Sequence, residues 1–417
     1  MAKIAIIGGG ISGMTSAWLL SGRHDVTLFE ANDYLGGHTH THALEADGRR
    51  WLVDSGFIVF NDKTYPNFRR LLDILEVKAR PTTMSFSVKC VADDLEYNGT
   101  SINSLFAQRR NILRPKFWRM IKGIMAFNEE CKRLLRFDPT DETLGDFLTR
   151  MRFPSELATY YIKPMAAAVW SCGTARIDAM PIHFLARFFE NHGFLNIDDR
   201  PQWFTVMGGS QTYAQKIAAR LGSSLRLAAP VVGVSRQSSG VLVETKDGRS
   251  TVFDEVIFAC HSDEALGVLK DPSQQESAVL GDIAYGENKI VMHTDTRLMP
   301  KRKLAWAAWN YNLFDQATDE VAVTYNMNIL QGLPCQTQFL VSLNCEKHVD
   351  PSKIIKRISY SHPVYTTRTV AAQAKHGNIS GVNRTHYCGA YWGNGFHEDG
   401  VVSAIRVAKM IDPSSEL

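Results

Sequence analysis

Three glycines at G-x-G-x-x-G spacing, Gly8, Gly10 and Gly13, lie in "KIAIIGGGISGMTSA" between an apolar run and a helix-like stretch. That order suits a phosphate-bearing dinucleotide. Gly8 permits the tight turn, Gly10 lets the backbone approach a pyrophosphate, and Gly13 lets the helix pack closely on its strand. The helix start, at Ile11 and Ser12, then offers free N–H groups and partial positive charge to the phosphates. A second apolar run, "DVTLFEA", carries Glu30 and Ala31 at its end. The Glu30 carboxylate is placed to accept hydrogen bonds from a ribose 2′-OH and would repel a 2′-phosphate, which disfavours an NADP-like ligand. A second constellation is "HTHTH", with His38, His40 and His42. On a strand the three would share one side. No nearby Cys or acid cluster completes a ligand set, so no metal site is expected.

These residues need a strand–helix–strand unit to position them, and the rest of the chain must supply its other walls. With 417 residues the chain has room for two or three domains. Composition is ordinary: 45% hydrophobic, 21% charged, net charge +3. That balance does not point to a polyanionic partner. Neither a secretory leader nor an apolar run of spanning length is visible. The seven cysteines are scattered without C-x-x-C spacing and read as reduced thiols, which points to the cytoplasm.

Further along, "PNFRRLLDILEV" and "KFWRMIKGIMAFNEECKRLL" carry apolar residues at three-and-four spacing, so the stretch from Thr64 to about Phe204 reads mostly helical. "TDETLGDFL" has a helix-capping start. "NKIVMHTD", "VAVTYNMN" and "QFLVSLN" alternate like strands.

The paired glycines Gly36 and Gly37 in "NDYLGGHTHT" bring a resemblance into view. The sequence resembles the FAD-dependent family of amine oxidases, protoporphyrinogen oxidases and phytoene-type desaturases. "VMGGSQTYAQKIAARLG", the strand pair from Leu225 to Cys260, and "YCGAYWGNGFHEDGVVSAIRVAKMI" match the family in its own order. The resemblance implies an α/β fold: a Rossmann-like, GR2-type FAD-binding domain beside an α+β substrate domain. The FAD domain would be discontinuous, from 1–60, 205–270 and 375–417. The substrate domain would take 61–204 as a helical lobe and 271–374 as a strand-rich floor.

The resemblance also assigns places to residues. Gly36 and Gly37 would cover the pyrophosphate and ribityl region, with His38 where the family often has Arg. Ser55 and Gly56 would neighbour the flavin, and the backbone at Val231 the adenine. Gly389 would pass the ribityl-phosphate, and Gly400, Val401 and Val402 would open a helix aimed at the ring, where the dipole favours negative charge. Tyr391, Trp392, Phe396 and His397 fall where the family presents side chains to the flavin. Trp392 is expected against the cofactor, Tyr391 and Phe396 against substrate, and His397 as proton acceptor. Lys289 occupies an order comparable to a family lysine near N5. FAD is expected to be non-covalent, Cys388 lying too late in the chain for the family's covalent link.

A basic stretch, "QRRNILRPKFWRMIKG", holds Arg109, Arg110, Arg114, Lys116, Arg119 and Lys122 with aromatic residues between. It suits either an anionic membrane surface or a solvated face over a packed side. No nucleic-acid module accompanies it. "DSGFIVFNDKTYPNF", "LFAQRRNILRPKFWRM", "NHGFL", "RPQW" and "GFHEDG" are similar to a bacterial subgroup encoded beside cyclopropane-fatty-acid-synthase-like methyltransferases. That similarity implies a desaturase acting on methyl-branched acyl lipid, working peripherally at the inner membrane face, with the methyltransferase as a partner. Amine oxidation, redox-neutral isomerisation and a non-catalytic flavin subunit are the competing readings.

Overall fold

In the computed structural model, residues 1–196, 200–314 and 321–417 are described. Strand Lys3–Ile7 lies at the centre of a five-stranded parallel sheet. The sheet order is Leu225–Arg226, Asp25–Phe29, Lys3–Ile7, Glu255–Phe258, Thr385–Tyr387. Its alternation divides two cores. Ile4 and Ile6 pack with Met14, Ile217 and Val407, whereas Ala5 and Ile7 pack with Val234, Phe258 and Leu280. Burial on both faces is what a central parallel strand requires. Helices Ile11–Leu20, Gln211–Leu221 and His397–Ile411 cover the first face. The antiparallel strands Val231–Gln237, Gly240–Thr245 and Ser250–Phe253 cover the second.

The second large sheet has seven strands. Their order is Ile354–Pro363, Tyr285–His293, Leu340–Leu343, Val323–Asn326, Trp309–Leu313, Phe86–Cys90, Leu95–Asn98. The stretch from Thr64 is mostly helical, as expected, and helix Pro66–Ile74 opens it, but it is not helical throughout. Strands Ala79–Thr82, Phe86–Cys90 and Leu95–Asn98 lie inside it, and Phe86–Cys90 pairs in parallel with the distant Trp309–Leu313. Non-local pairing overrode the local pattern. The true helical lobe begins at Ile102. Its longest helix, Pro115–Leu134, starts with proline at its first position, where no N–H is needed. It buries Phe117, Met120, Gly123, Phe127 and Cys131 at three-and-four spacing. Those side chains share one core with Val88, Tyr97, Tyr311 and Val341 of the sheet. Helix Leu144–Arg150 starts at Thr143, whose hydroxyl accepts from the Asp146 N–H at 3.2 Å.

Candidate cofactor and active site

Two helix beginnings meet at the carboxyl end of the parallel sheet. A methyl group on Gly400 would lie 2.6 Å from Ile11 Cγ2 and 3.0 Å from Ser12 Oγ, so the first and last helices touch at their N-terminal turns. Both positive helix ends therefore serve one spot. At Gly13 a side chain would overlap the Gly8 carbonyl oxygen, so only glycine lets this helix sit so close to the turn. Gly10 differs: a Cβ there would meet nothing within 4 Å. Open space lies over Gly10, and Gly37 approaches from the other side, its virtual Cβ 3.3 Å from Gly10 Cα. Glu30 is buried at the adjacent strand end. It accepts hydrogen bonds from the Gly9 N–H at 2.7 Å and the Asn32 N–H at 2.8 Å. Ala31 is exposed beside it, and Val231 opens the strand that follows Ala229, whose N–H donates to the Glu30 carbonyl at 2.9 Å.

The residues present fit FAD. Space over Gly10 between paired helix starts accepts a pyrophosphate, and Glu30 stands at the strand end where a ribose hydroxyl binds. Several buried polar atoms nearby have no protein partner: His38 Nε2, Tyr391 Oη and Trp392 Nε1. Unpaired buried groups are costly, and a polar ligand would satisfy them. Cys388 is buried within 3.7 Å of the Ser16 hydroxyl, consistent with a packing role.

The HTHTH segment forms the next wall. His38 stacks on Tyr360 with ring centroids 4.6 Å apart and lies 5.1 Å from His362. Burial, then His362, hold His38 well below the usual histidine range, and burial sets His362 at about 4. Both rings are neutral at pH 7. The turn Ser55–Gly56 lies directly on this segment, with the Ser55 N–H donating to the His40 carbonyl at 3.0 Å and the Phe57 N–H to that of His38 at 2.7 Å. Before it, buried Asp54 accepts from Ser210 N–H, the Ser210 and Thr41 hydroxyls, and Gln331 Nε2. Desolvation raises Asp54 to about 6. Tyr360, His362, Thr39 and Tyr213 were not legible as site residues, because nothing local marks them.

Around the terminal helix the expectations divide. Val401 is fully buried, while the Val402 side chain turns outward. Tyr391 and Trp392 pack together at 5.1 Å. Phe396 faces the helical lobe, stacking on Phe188 at 5.0 Å and lying 5.7 Å from His192. His397, expected as a base, is enclosed by neighbouring side chains. Its Nε2 contacts Tyr213 Oη at 2.9 Å and Thr39 Oγ1 at 3.2 Å, and Phe57 covers its face at 3.5 Å. Desolvation lowers it to about 3. This imidazole ties three segments together. Lys289 lies on the exposed side of Tyr285–His293, between buried Asn288 and Ile290. Strand alternation turns it away from the core row.

From Phe396 a line of rings continues through Phe188 to Phe194, with centroids 6.2 Å apart. Phe194 lines a cleft with Met84, Phe86, Tyr161, Met165 and Trp309, where Arg200 is the one charged residue among those described. Trp309 Nε1 is buried without a partner, and its ring meets Tyr325 edge-on at 5.2 Å. The cleft is closed on another side by Gly99 and Thr100, immediately before helix Ile102–Leu105.

Beyond that helix the basic stretch is partly paired. Arg110 pairs with Asp94, and Arg119 with Glu156 at 2.6 Å. Arg109 and Arg114 donate to the Phe106 and Asp94 carbonyls. Among these cations Ile102 is 80% exposed, Leu113 84% and Trp118 41%, an apolar tip that solvent alone does not explain. Among the described residues no helix is long and apolar enough to cross a membrane, and no His/Cys/Asp/Glu group could hold a metal.

Comparison with known proteins adds three findings. Residues 11–334 match the family described as flavin containing amine oxidoreductase. Polyamine oxidase 4 of Oryza sativa subsp. japonica is 27% identical over 326 residues, covering 72% of this chain and 60% of that protein. The chain spans about half the length of the curated relatives it matches. Among solved structures, putrescine oxidase bound to putrescine superposes with a TM-score of 0.69 at 15% identity, covering 98% of both chains. A CLA-producing fatty acid isomerase from P. acnes gives 0.68 at 15% identity, covering 99% of both. At those identities the likeness concerns the fold.

Proposed function

The chain belongs to the flavin containing amine oxidoreductase family, and from that premise we propose that this FAD-dependent oxidoreductase desaturates a methyl-branched acyl chain of a lipid. When bound, FAD supplies the hydride acceptor. The chain's own residues orient the C–H bond, exclude water and carry away the proton. Geometry contributes much of the rate in such a reaction, because an unactivated hydride moves only from a fixed contact.

The observation that carries this reading is the cleft and its surroundings. Among the described residues its walls are mainly aromatic and thioether side chains, with Arg200 as their charged group. Apolar walls beside a guanidinium suit an acyl chain with an anionic head. Ile102, two residues after the cleft's Thr100, is exposed, and Leu113 and Trp118 are exposed in the basic stretch with Arg109, Lys116 and Lys122, which suits an anionic bilayer as the source of substrate. A lipid methyltransferase acting before this step remains part of the proposal.

The test is incubation of FAD-loaded protein with total bacterial lipids in air, followed by mass spectrometry. Loss of two hydrogens from a branched acyl chain is the expected result. Unchanged lipids, together with bleaching of the flavin band by an amine under anaerobic conditions, would overturn it. The fold shared with a fatty acid isomerase supports one second reading, redox-neutral isomerisation, in which a double bond moves without change of mass.

A further inference from the structure

The histidine-rich segment takes part in a chain of hydrogen bonds. Lys356 Nζ lies 3.2 Å from His42 Nδ1, and His42 Nε2 lies 2.9 Å from Ser55 Oγ. Ser55 Oγ lies 2.9 Å from Tyr360 Oη, and Tyr360 Oη lies 3.2 Å from His40 Nδ1. Lysine can only donate, so His42 Nδ1 accepts and Nε2 carries the hydrogen. His42 then donates to Ser55. The Ser55 hydroxyl can donate onward to Tyr360, or to the His40 carbonyl at 3.3 Å, and Tyr360 can donate to His40. Four hydrogen bonds thus run in one sense. Lys356 is exposed, while His42, Ser55 and Tyr360 are buried.

We propose that Lys356, His42, Ser55 and Tyr360 form a proton path between solvent and the cofactor side of the Ser55–Gly56 turn. The inference rests on the flavin alone, whatever the substrate. When two electrons from a donor reduce FAD, the reduced ring takes up a proton, and that proton is drawn inward in the sense in which the hydrogen bonds run: Lys356 gives one to His42 Nδ1, His42 Nε2 gives one to Ser55, and Ser55 gives one to Tyr360. Each group passes on one proton as it receives another, and Lys356 regains its own from water, so none accumulates. The sheets fix this spacing. Tyr360 lies on Ile354–Pro363, His42 on Thr41–Ala46, and Ser55 follows Arg49–Asp54.

The surrounding charges keep the imidazoles able to serve. Burial, then Lys356, holds His40 at about 4; burial, then His40 and Lys356, holds His42 at about 3. Asp33 and Tyr34 face His40 from its own loop, and Asp54 faces Tyr360 from the neighbouring strand. A neutral imidazole with one donor and one acceptor nitrogen is the form that relays. His38, stacked on Tyr360 with Nε2 unpartnered, is the nearest open acceptor at the buried end.

The test needs no substrate. FAD-loaded protein is photoreduced anaerobically in weak buffer, and proton uptake is followed with an indicator dye beside flavin absorbance. Wild type should take up protons in step with reduction. His42→Gln should slow uptake at least about tenfold, with FAD occupancy unchanged and imidazole restoring the rate. Lys356→Met should act in the same direction. A proton inventory of wild-type uptake in mixed H2O/D2O should bow, as several protons move together. An unslowed His42→Gln, slowing that imidazole does not rescue, or a linear inventory would overturn the path. Failure of the lipid assay leaves each of these readings intact, so the two proposals fail separately.

Discussion

The cofactor cradle and the aromatic lobe are built by opposite means. In the cradle, main chain is the working surface: helix starts, a turn at Gly8 and close approaches at Gly13 and Gly400. In the lobe, side chains are the surface: Phe188, Phe194, Trp309 and Tyr325 form a line whose shape depends on every ring. A dinucleotide of fixed structure can be held by backbone geometry, whereas a pocket selective for one hydrocarbon must be cut by side-chain volume. Glycines should therefore govern cofactor retention, and aromatics should govern choice of substrate.

The sharpest break between the two is within the cradle itself. Gly13→Ala puts a methyl into the Gly8 carbonyl and should destabilise the apoprotein, by roughly 1–3 kcal/mol, as well as abolish bound FAD. Gly10→Val should lose FAD equally, since its side chain fills the space for phosphate. Yet the apoprotein's melting temperature should change little with Gly10→Ala. Flavin absorbance after gel filtration, beside thermal melts of the apoproteins, checks all three.

Acid should weaken both regions between pH 7 and 5. His40, His42, His192, His293, His362 and His397 have folded values of about 3 to 4. Below about pH 6.5 the unfolded chain binds protons that these folded histidines refuse, so stability present above that value is lost as pH falls. Asp54 and Asp399, raised to about 6 by burial, pull the other way: their contribution is lost as pH rises through 6. They are outnumbered. Urea midpoints at the two pH values measure the net sign.

In the lobe, Trp309→Ala should lower lipid turnover about 30-fold, roughly 2 kcal/mol, while FAD occupancy stays full. The smallest effect belongs to the surface: Ile102→Ser with Leu113→Ser should weaken binding to anionic vesicles about tenfold in a sedimentation assay, leaving turnover of detergent-dispersed lipid unchanged.

The same contrast explains what could be read in advance. Backbone-built sites leave local signatures, so Gly8, Gly10, Gly13 and Glu30 stood out from spacing, and the resemblance pointed to Gly400. The seven-stranded sheet left none: Phe86–Cys90 is short, and its partner Trp309–Leu313 comes much later. The proton path was equally hidden. HTHTH was visible, but Lys356 and Tyr360 lie some 300 residues on, and only the strand carrying them brings them to His42 and Ser55. The surroundings of His397 were hidden for a related reason: Tyr213, Thr39 and Phe57 reach it from distant parts of the chain.

Thr385–Tyr387 completes the parallel sheet, and His397–Ile411 supplies the second helix start at the Gly10 cradle. A ribosome must therefore release residue 411 before the binding surface exists at all. Cofactor loading therefore waits on that helix, and nascent chains stalled before it should emerge colourless however much flavin the cell holds.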